Sequence, residues 1–144
     1  MKVSILGIGY IGLPLARALL QKNYEVWGST TSPEKLSQDR ITVRLLRSPE
    51  TPPADLLRCD VLILNIPPLQ APPAWLKSWD LSQTKKIIFV SSTSAPRNEI
   101  LQEEEAWVKA IGIPWLIVRP GGLLGHGRHP GKVLSGRKNI KGRL

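Results

Sequence analysis

A short apolar run, Val3 to Leu6, leads directly into Gly7-x-Gly9-x-x-Gly12, and an apolar helical pattern from Ile11 to Leu20 follows at once. The order is strand, glycine turn, helix. It builds an anion cradle from backbone alone. The first glycine allows the tight turn. The second, lacking a Cβ, lets a pyrophosphate approach the main chain. The third lets the helix pack close to the strand, and the helix start then turns free N–H groups and a partial positive charge toward the anion. A glycine-rich turn without ligand would share the triplet but not its strand–helix setting.

The rest of the chain alternates in the same way. Strands are expected at Tyr24–Gly28, Ile41–Leu46, Val61–Ile66, Lys86–Val90 and Trp115–Val118. Between them, Pro33 opens a short helix through Ser37 with Ser32 as its cap, Asp55–Arg58 forms at most one turn, and Ala74–Trp79 follows Pro72-Pro73. Asn98 caps a helix from Glu99 to Ile111, which Gly112 and Pro114 end. Runs such as Val61–Ile66, apolar at nearly every position, read as strands covered on both faces. The expected fold is an α/β, doubly wound (Rossmann) parallel sheet of about six strands, in order 3-2-1-4-5-6, with helices on both faces. Residues 1–122 form the dinucleotide-binding domain, and 123–144 a basic, glycine-rich tail.

Charge and cysteine content narrow the function. The net charge of +9 is uneven: residues 1–105 hold 12 basic and 11 acidic side chains, residues 106–144 hold 8 basic and none acidic. That asymmetry suits an anion-binding or solvated tail. Nucleic-acid binding is disfavoured, since the tail's basic residues are scattered among glycines without interleaved aromatics. One cysteine, Cys59, permits no internal disulfide and suits a reducing cytoplasm; it reads as a half-buried structural thiol. Three glycines, Pro14 and Arg17 interrupt the N-terminal apolar run, so neither a signal peptide nor a membrane span is expected. No metal site is expected.

The end of the second strand bears on which dinucleotide fits. NAD sites place a carboxylate there for the ribose 2′-hydroxyl. Here Ser29, Thr30, Thr31 and Ser32 follow, with no carboxylate before Glu34 and with Lys35 next to it. Hydroxyls and a lysine suit a 2′-phosphate, so NADP is favoured over NAD, although no arginine follows the strand. The alternative is that Thr30–Thr31 form a turn and Ser32 only caps a helix.

Three motifs in order carry a family resemblance: the glycine loop, Phe89-Val-Ser-Ser-Thr-Ser94, and Arg119-Pro-Gly-Gly-Leu-Leu-Gly-His-Gly-Arg-His-Pro-Gly131. Together they resemble the extended short-chain dehydrogenase/reductases, in the NAD-dependent epimerase/dehydratase branch, over the N-terminal part only. The resemblance implies a nucleotide-sugar substrate. It implies that Gly7, Gly9, Tyr10, Ile11 and Gly12 face the pyrophosphate and that Pro67 borders the adenosine ribose and the nicotinamide side. It places Ser91, Pro120 and Gly121 on the nicotinamide side, Ser92 at the reacting group, and Arg128 and His129 near a substrate phosphate. The departures matter as much. That family uses Tyr-x-x-x-Lys as its acid/base pair, whereas the tyrosines here are Tyr10 and Tyr24, and registering the helix on Glu105-x-x-Val108 sets Arg97 and Leu101 at the two positions. The expectation is therefore a dinucleotide-binding protein with degenerate catalysis. The alternatives are an active oxidoreductase or epimerase with an unusual acid/base, in which His126 or His129 could titrate usefully, or a domain like the UDP-sugar 6-dehydrogenases, whose glycine loop Gly7–Ala16 is similar. The last strand, as a sheet edge, invites self-association.

Overall fold

A computed structural model describes residues 1–38, 40–67 and 70–122. Seven strands form one sheet: β1 (Lys2–Leu6), β2 (Glu25–Thr30), β3 (Ser37–Gln38), β4 (Ile41–Leu45), β5 (Val61–Leu64), β6 (Ile87–Val90) and β7 (Trp115–Val118). Their order is β3-β4-β2-β1-β5-β6-β7. The six longer strands run parallel in the doubly wound order the sequence predicts.

Alternation along these strands divides the core in two. Val3, Ile5, Val26, Val43 and Ile63 face helix α1 (Gly12–Gln21), where Ala16 is fully buried. Leu6, Leu62, Leu64, Ile87 and Phe89 face the other way, onto α2 (Ala54–Leu57), α3 (Pro73–Lys77) and α4 (Glu99–Ala110). Helix α4 starts as expected: the Asn98 side-chain oxygen accepts the Leu101 N–H at 3.1 Å, and Gly112 at φ +81° follows its end.

Four local expectations need correction. Strand β2 runs on to Thr30, so Ser29 and Thr30 are strand residues rather than a turn after the strand. Ser32 makes no side-chain cap; its own N–H is taken by the Thr30 hydroxyl at 3.1 Å. The predicted helix from Pro33 shrinks to a single 3-10 turn, Pro33–Lys35. Ser37 and Gln38 instead pair antiparallel with Thr42 and Ile41, a short hairpin that satisfies their backbone in the sheet. Cys59 is fully buried rather than half-buried. Burial pushes its thiol pKa up, which keeps it protonated and inert.

At the other edge, β7 leaves Trp115, Leu116 and Val118 exposed. Among the described residues, no helix is long and apolar enough to cross a membrane.

Candidate functional site

In an open parallel sheet, ligands bind beyond the carboxyl ends of the strands, where neighbouring crossovers leave in opposite directions. Here that point lies between β1 and β5, and the glycine loop occupies it. Gly7 sits at φ +106°, a conformation open to glycine at little cost. A Cβ there would lie 2.9 Å from the Asn65 carbonyl carbon and closer still to its oxygen. At Gly12 a Cβ would lie 3.1 Å from the Gly7 carbonyl carbon and again closer to the oxygen. The two outer glycines thus allow backbone to meet backbone. Gly9 differs: a Cβ built on it meets nothing within 4 Å. Its missing side chain leaves open space, the room that an anion against the main chain requires.

Neighbouring strands hold the loop in place. The Ser29 hydroxyl accepts the Gly7 N–H at 3.1 Å, and the Ser29 carbonyl accepts the Ile8 N–H at 2.8 Å. From β5, the Asn65 side-chain amide donates to the Gly7 carbonyl at 3.2 Å. Gly28 leaves room for Ile8, whose Cγ1 would stand at 2.5 Å from a Cβ. No side chain caps the first turn of α1 and no acidic residue lies in it, so among the described residues its positive end is unneutralised.

Two adjoining cavities flank this loop. The first, about 330 Å³, brings together Gly7, Gly9, Tyr10, Ile11, Ser29, Thr30, Thr31, Lys35 and Pro67, all predicted from the sequence. Gly12 lies just behind, under the helix start. The second, about 360 Å³, shares Ile11 and Pro67 with the first and continues to Ser91, Ser92, Pro120 and Gly121. The expected nicotinamide-side residues are thereby grouped apart from the glycine loop yet continuous with it. Leu101 also lines this second cavity, while neither Arg97 nor either tyrosine does. Arg128, His129 and His126 lie outside the described residues, as does the rest of the 123–144 tail.

Several hydroxyls are already engaged. Ser91 donates to Glu105 Oε1 at 2.6 Å. Arg119 closes on the same carboxylate, Nε at 2.9 Å from Oε1 and Nη2 at 2.6 Å from Oε2. The Arg119 guanidinium holds the Glu105 pKa below the ordinary carboxylate range, and the Ser91 hydroxyl adds to this. This group, with Ser91 and Glu105 buried and Arg119 exposed, ties α4 to the ends of β6 and β7, just before Pro120-Gly121. Ser92 Oγ accepts from the Ser94 N–H at 3.1 Å and lies 3.0 Å from the Ser94 hydroxyl.

Sequence reasoning missed Asn65 and Arg47. Asn65 interrupts the otherwise apolar run Val61–Ile66 at the end of a central strand, a legible signal. Arg47 follows β4, and only the sheet order brings it beside the end of β2. Its Nε and Nη2 donate to the Thr31 carbonyl at 3.1 and 2.6 Å.

The open cradle at Gly9, the unneutralised helix start and a cation-bearing cavity fit a pyridine dinucleotide, and known proteins agree. A family model described as NADP oxidoreductase, coenzyme F420-dependent, matches residues 2–95. Protein YeeZ from Escherichia coli is 31% identical over 174 aligned positions, covering 94% of this chain and 64% of that protein. The chain thus spans 64% of the length of the curated relatives it matches. Among solved structures, the Bordetella bronchiseptica enzyme WbmH in complex with NAD+ superposes with a TM-score of 0.66 at 16% identity, covering 86% of this chain and 56% of that one. Gre2 from Candida albicans in complex with NADPH gives 0.66 at 14% identity, covering 87% and 59%. At such identities these structures share the fold alone. A Rossmann domain of oxidoreductase type, built to take NAD or NADP, is thus the common ground, and by the match over residues 2–95 the chain belongs to the family of NADP oxidoreductases described as coenzyme F420-dependent.

Proposed function

We propose that this chain binds NADP in preference to NAD and that residues 1–122 by themselves do not complete a catalytic site. The glycine loop would take the pyrophosphate on the Gly9 backbone and the start of α1, with Tyr10 and Ile11 beside it. Thr31 and Lys35 would face the ribose 2′-phosphate, Pro67 the adenosine ribose, and Ser91, Pro120 and Gly121 the nicotinamide half. Bound there, the dinucleotide supplies hydride-transfer chemistry. Ser29 and Thr30 would line the same cradle, where their hydroxyls also accept backbone N–H groups and so shape the loop.

One observation carries the second half of the proposal. No Tyr, Lys, His, Cys, Asp or Glu is among the described residues lining the second cavity. Reduction of a carbonyl needs a proton donor within hydrogen-bond reach. Ser92 offers an alcohol with no base beside it among the described residues. Ser91 donates its hydrogen bond to Glu105, and that carboxylate, held anionic by Arg119, is a poor proton acceptor. The extended short-chain dehydrogenase/reductase reading contributes a substrate class, a nucleotide sugar with Arg128 and His129 at its phosphates, and the single buried thiol suits the cytoplasm. Exposed apolar residues on β7 support self-association along that edge.

The test pairs a fluorescence titration of NADPH with an absorbance assay of its consumption on a panel of nucleotide sugars and simple carbonyls. Saturable NADPH binding without turnover is expected. Substrate-dependent oxidation by residues 1–122 would overturn the degenerate reading, and an absence of NADPH binding would overturn the cofactor reading.

A further inference from the structure

The first cavity is lined by two cations, Lys35 and Arg47, and by no carboxylate among the described residues. That balance is unfavourable to an unphosphorylated ribose, whose 2′-hydroxyl calls for an acceptor. It favours a dianion. Arg47 is the better placed of the two to recognise one. Thr30 lies opposite Leu45 in the parallel β2–β4 pair, and the Leu46 N–H donates to the Thr30 carbonyl at 3.0 Å. The chain leaving β4 therefore lies beside the chain leaving β2. The Arg47 side chain reaches across that gap and is anchored on the Thr31 carbonyl through Nε and Nη2. Those bonds use two of the five N–H donors of a guanidinium, and the acceptor is neutral. The charge stays uncompensated: among the described residues no carboxylate pairs with the guanidinium, and Glu50 approaches only the Arg47 backbone N–H, at 3.4 Å.

We propose that Arg47 is the residue that selects NADP over NAD, closing the free edge of its fork on the ribose 2′-phosphate beside Thr31 and Lys35. The anchor on Thr31 holds the fork in place before the ligand arrives, so little side-chain freedom is lost on binding. A guanidinium–phosphate contact is charge-assisted and two-pronged, which a lysine cannot reproduce. The sequence gives no hint of this role, because the arginine arrives from a different strand end.

The proposal rests on the cavity being the dinucleotide site, and the test separates the two. NADPH, NADH and the fragment 2′,5′-ADP are titrated by calorimetry into the wild-type chain, Arg47→Gln and Arg47→Lys. Loss of a charge-assisted contact worth about 1.5–3 kcal/mol corresponds to roughly 10- to 150-fold in affinity. Arg47→Gln should therefore weaken NADPH and 2′,5′-ADP by that factor while NADH changes by less than about threefold. Arg47→Lys should fall between the wild type and Arg47→Gln. If the wild type binds NADPH and Arg47→Gln binds it equally well, the proposal fails while the dinucleotide reading stands. A parallel loss for NADPH and NADH would also overturn it, since Arg47 would then only shape the loop. A wild type that binds neither dinucleotide overturns both.

Discussion

Replacing Glu104 with methionine is expected to stabilise the fold by about 3 kcal/mol more near pH 8 than near pH 4.5. Glu104 lies on the sheet-facing side of α4, 1% exposed, and among the described residues neither carboxylate oxygen has a hydrogen-bond partner. Burial, with the neighbouring Glu103 charge adding to it, pushes its pKa up to about 7. An unfolded chain releases this proton near the ordinary value of 4.5, whereas the folded chain keeps it until about pH 7. Between those values the folded state binds more protons, so stability falls as pH rises through the window and levels off above it. Methionine matches the volume and carries no charge to desolvate. In a domain of this size that extra gain near pH 8 corresponds to roughly 6–12 °C in Tm, readable by thermal melts across the pH range. An equal gain at both ends of the range would show that charge burial is not the cause.

The second large effect is expected at the glycine loop. Gly7→Ala should cost roughly 3 kcal/mol or more, from two sources. A non-glycine residue at φ +106° is strained by about 1–3 kcal/mol, and the added methyl meets the Asn65 carbonyl, an overpacking cost of similar size. It also disturbs the Asn65 amide bond to the Gly7 carbonyl. Gly9→Ala is the matched control, since a Cβ there meets nothing. Urea melts should show a lower midpoint for Gly7→Ala and an unchanged one for Gly9→Ala. Equal loss at both glycines would mean that the loop's packing differs from that described.

Much of the architecture is legible in the sequence because parallel strands are buried on both faces. Val61–Leu64 and Ile87–Val90 are apolar at every position, and the glycine triplet marks the first crossover. The helix from Asn98 is legible for a different reason: a capping side chain at one end and glycine at the other are local chemistry. What the sequence hides is non-local. Ser37–Gln38 is too short to show any alternation, and it becomes a strand only because Ile41–Thr42 folds back on it. Ser32 looks like a helix cap, but Thr30, two residues earlier, already occupies its N–H. Arg47 looks like one more exposed cation until β4 is laid beside β2. The cradle is therefore readable from one stretch of chain, whereas the groups that tune it come from three strand ends.

In the proposed complex Gly9 faces the dinucleotide pyrophosphate. The most direct test is NADPH calorimetry on the wild-type chain beside Gly9→Asp, with melting temperatures recorded for both. A carboxylate at Gly9 projects into open space, so the fold should be retained. It would also set a negative charge against the pyrophosphate in the cradle, and affinity should fall by at least about 100-fold, or roughly 2.7 kcal/mol. Unchanged melting with lost binding is the predicted result. Equal NADPH affinity in the two proteins would contradict the account.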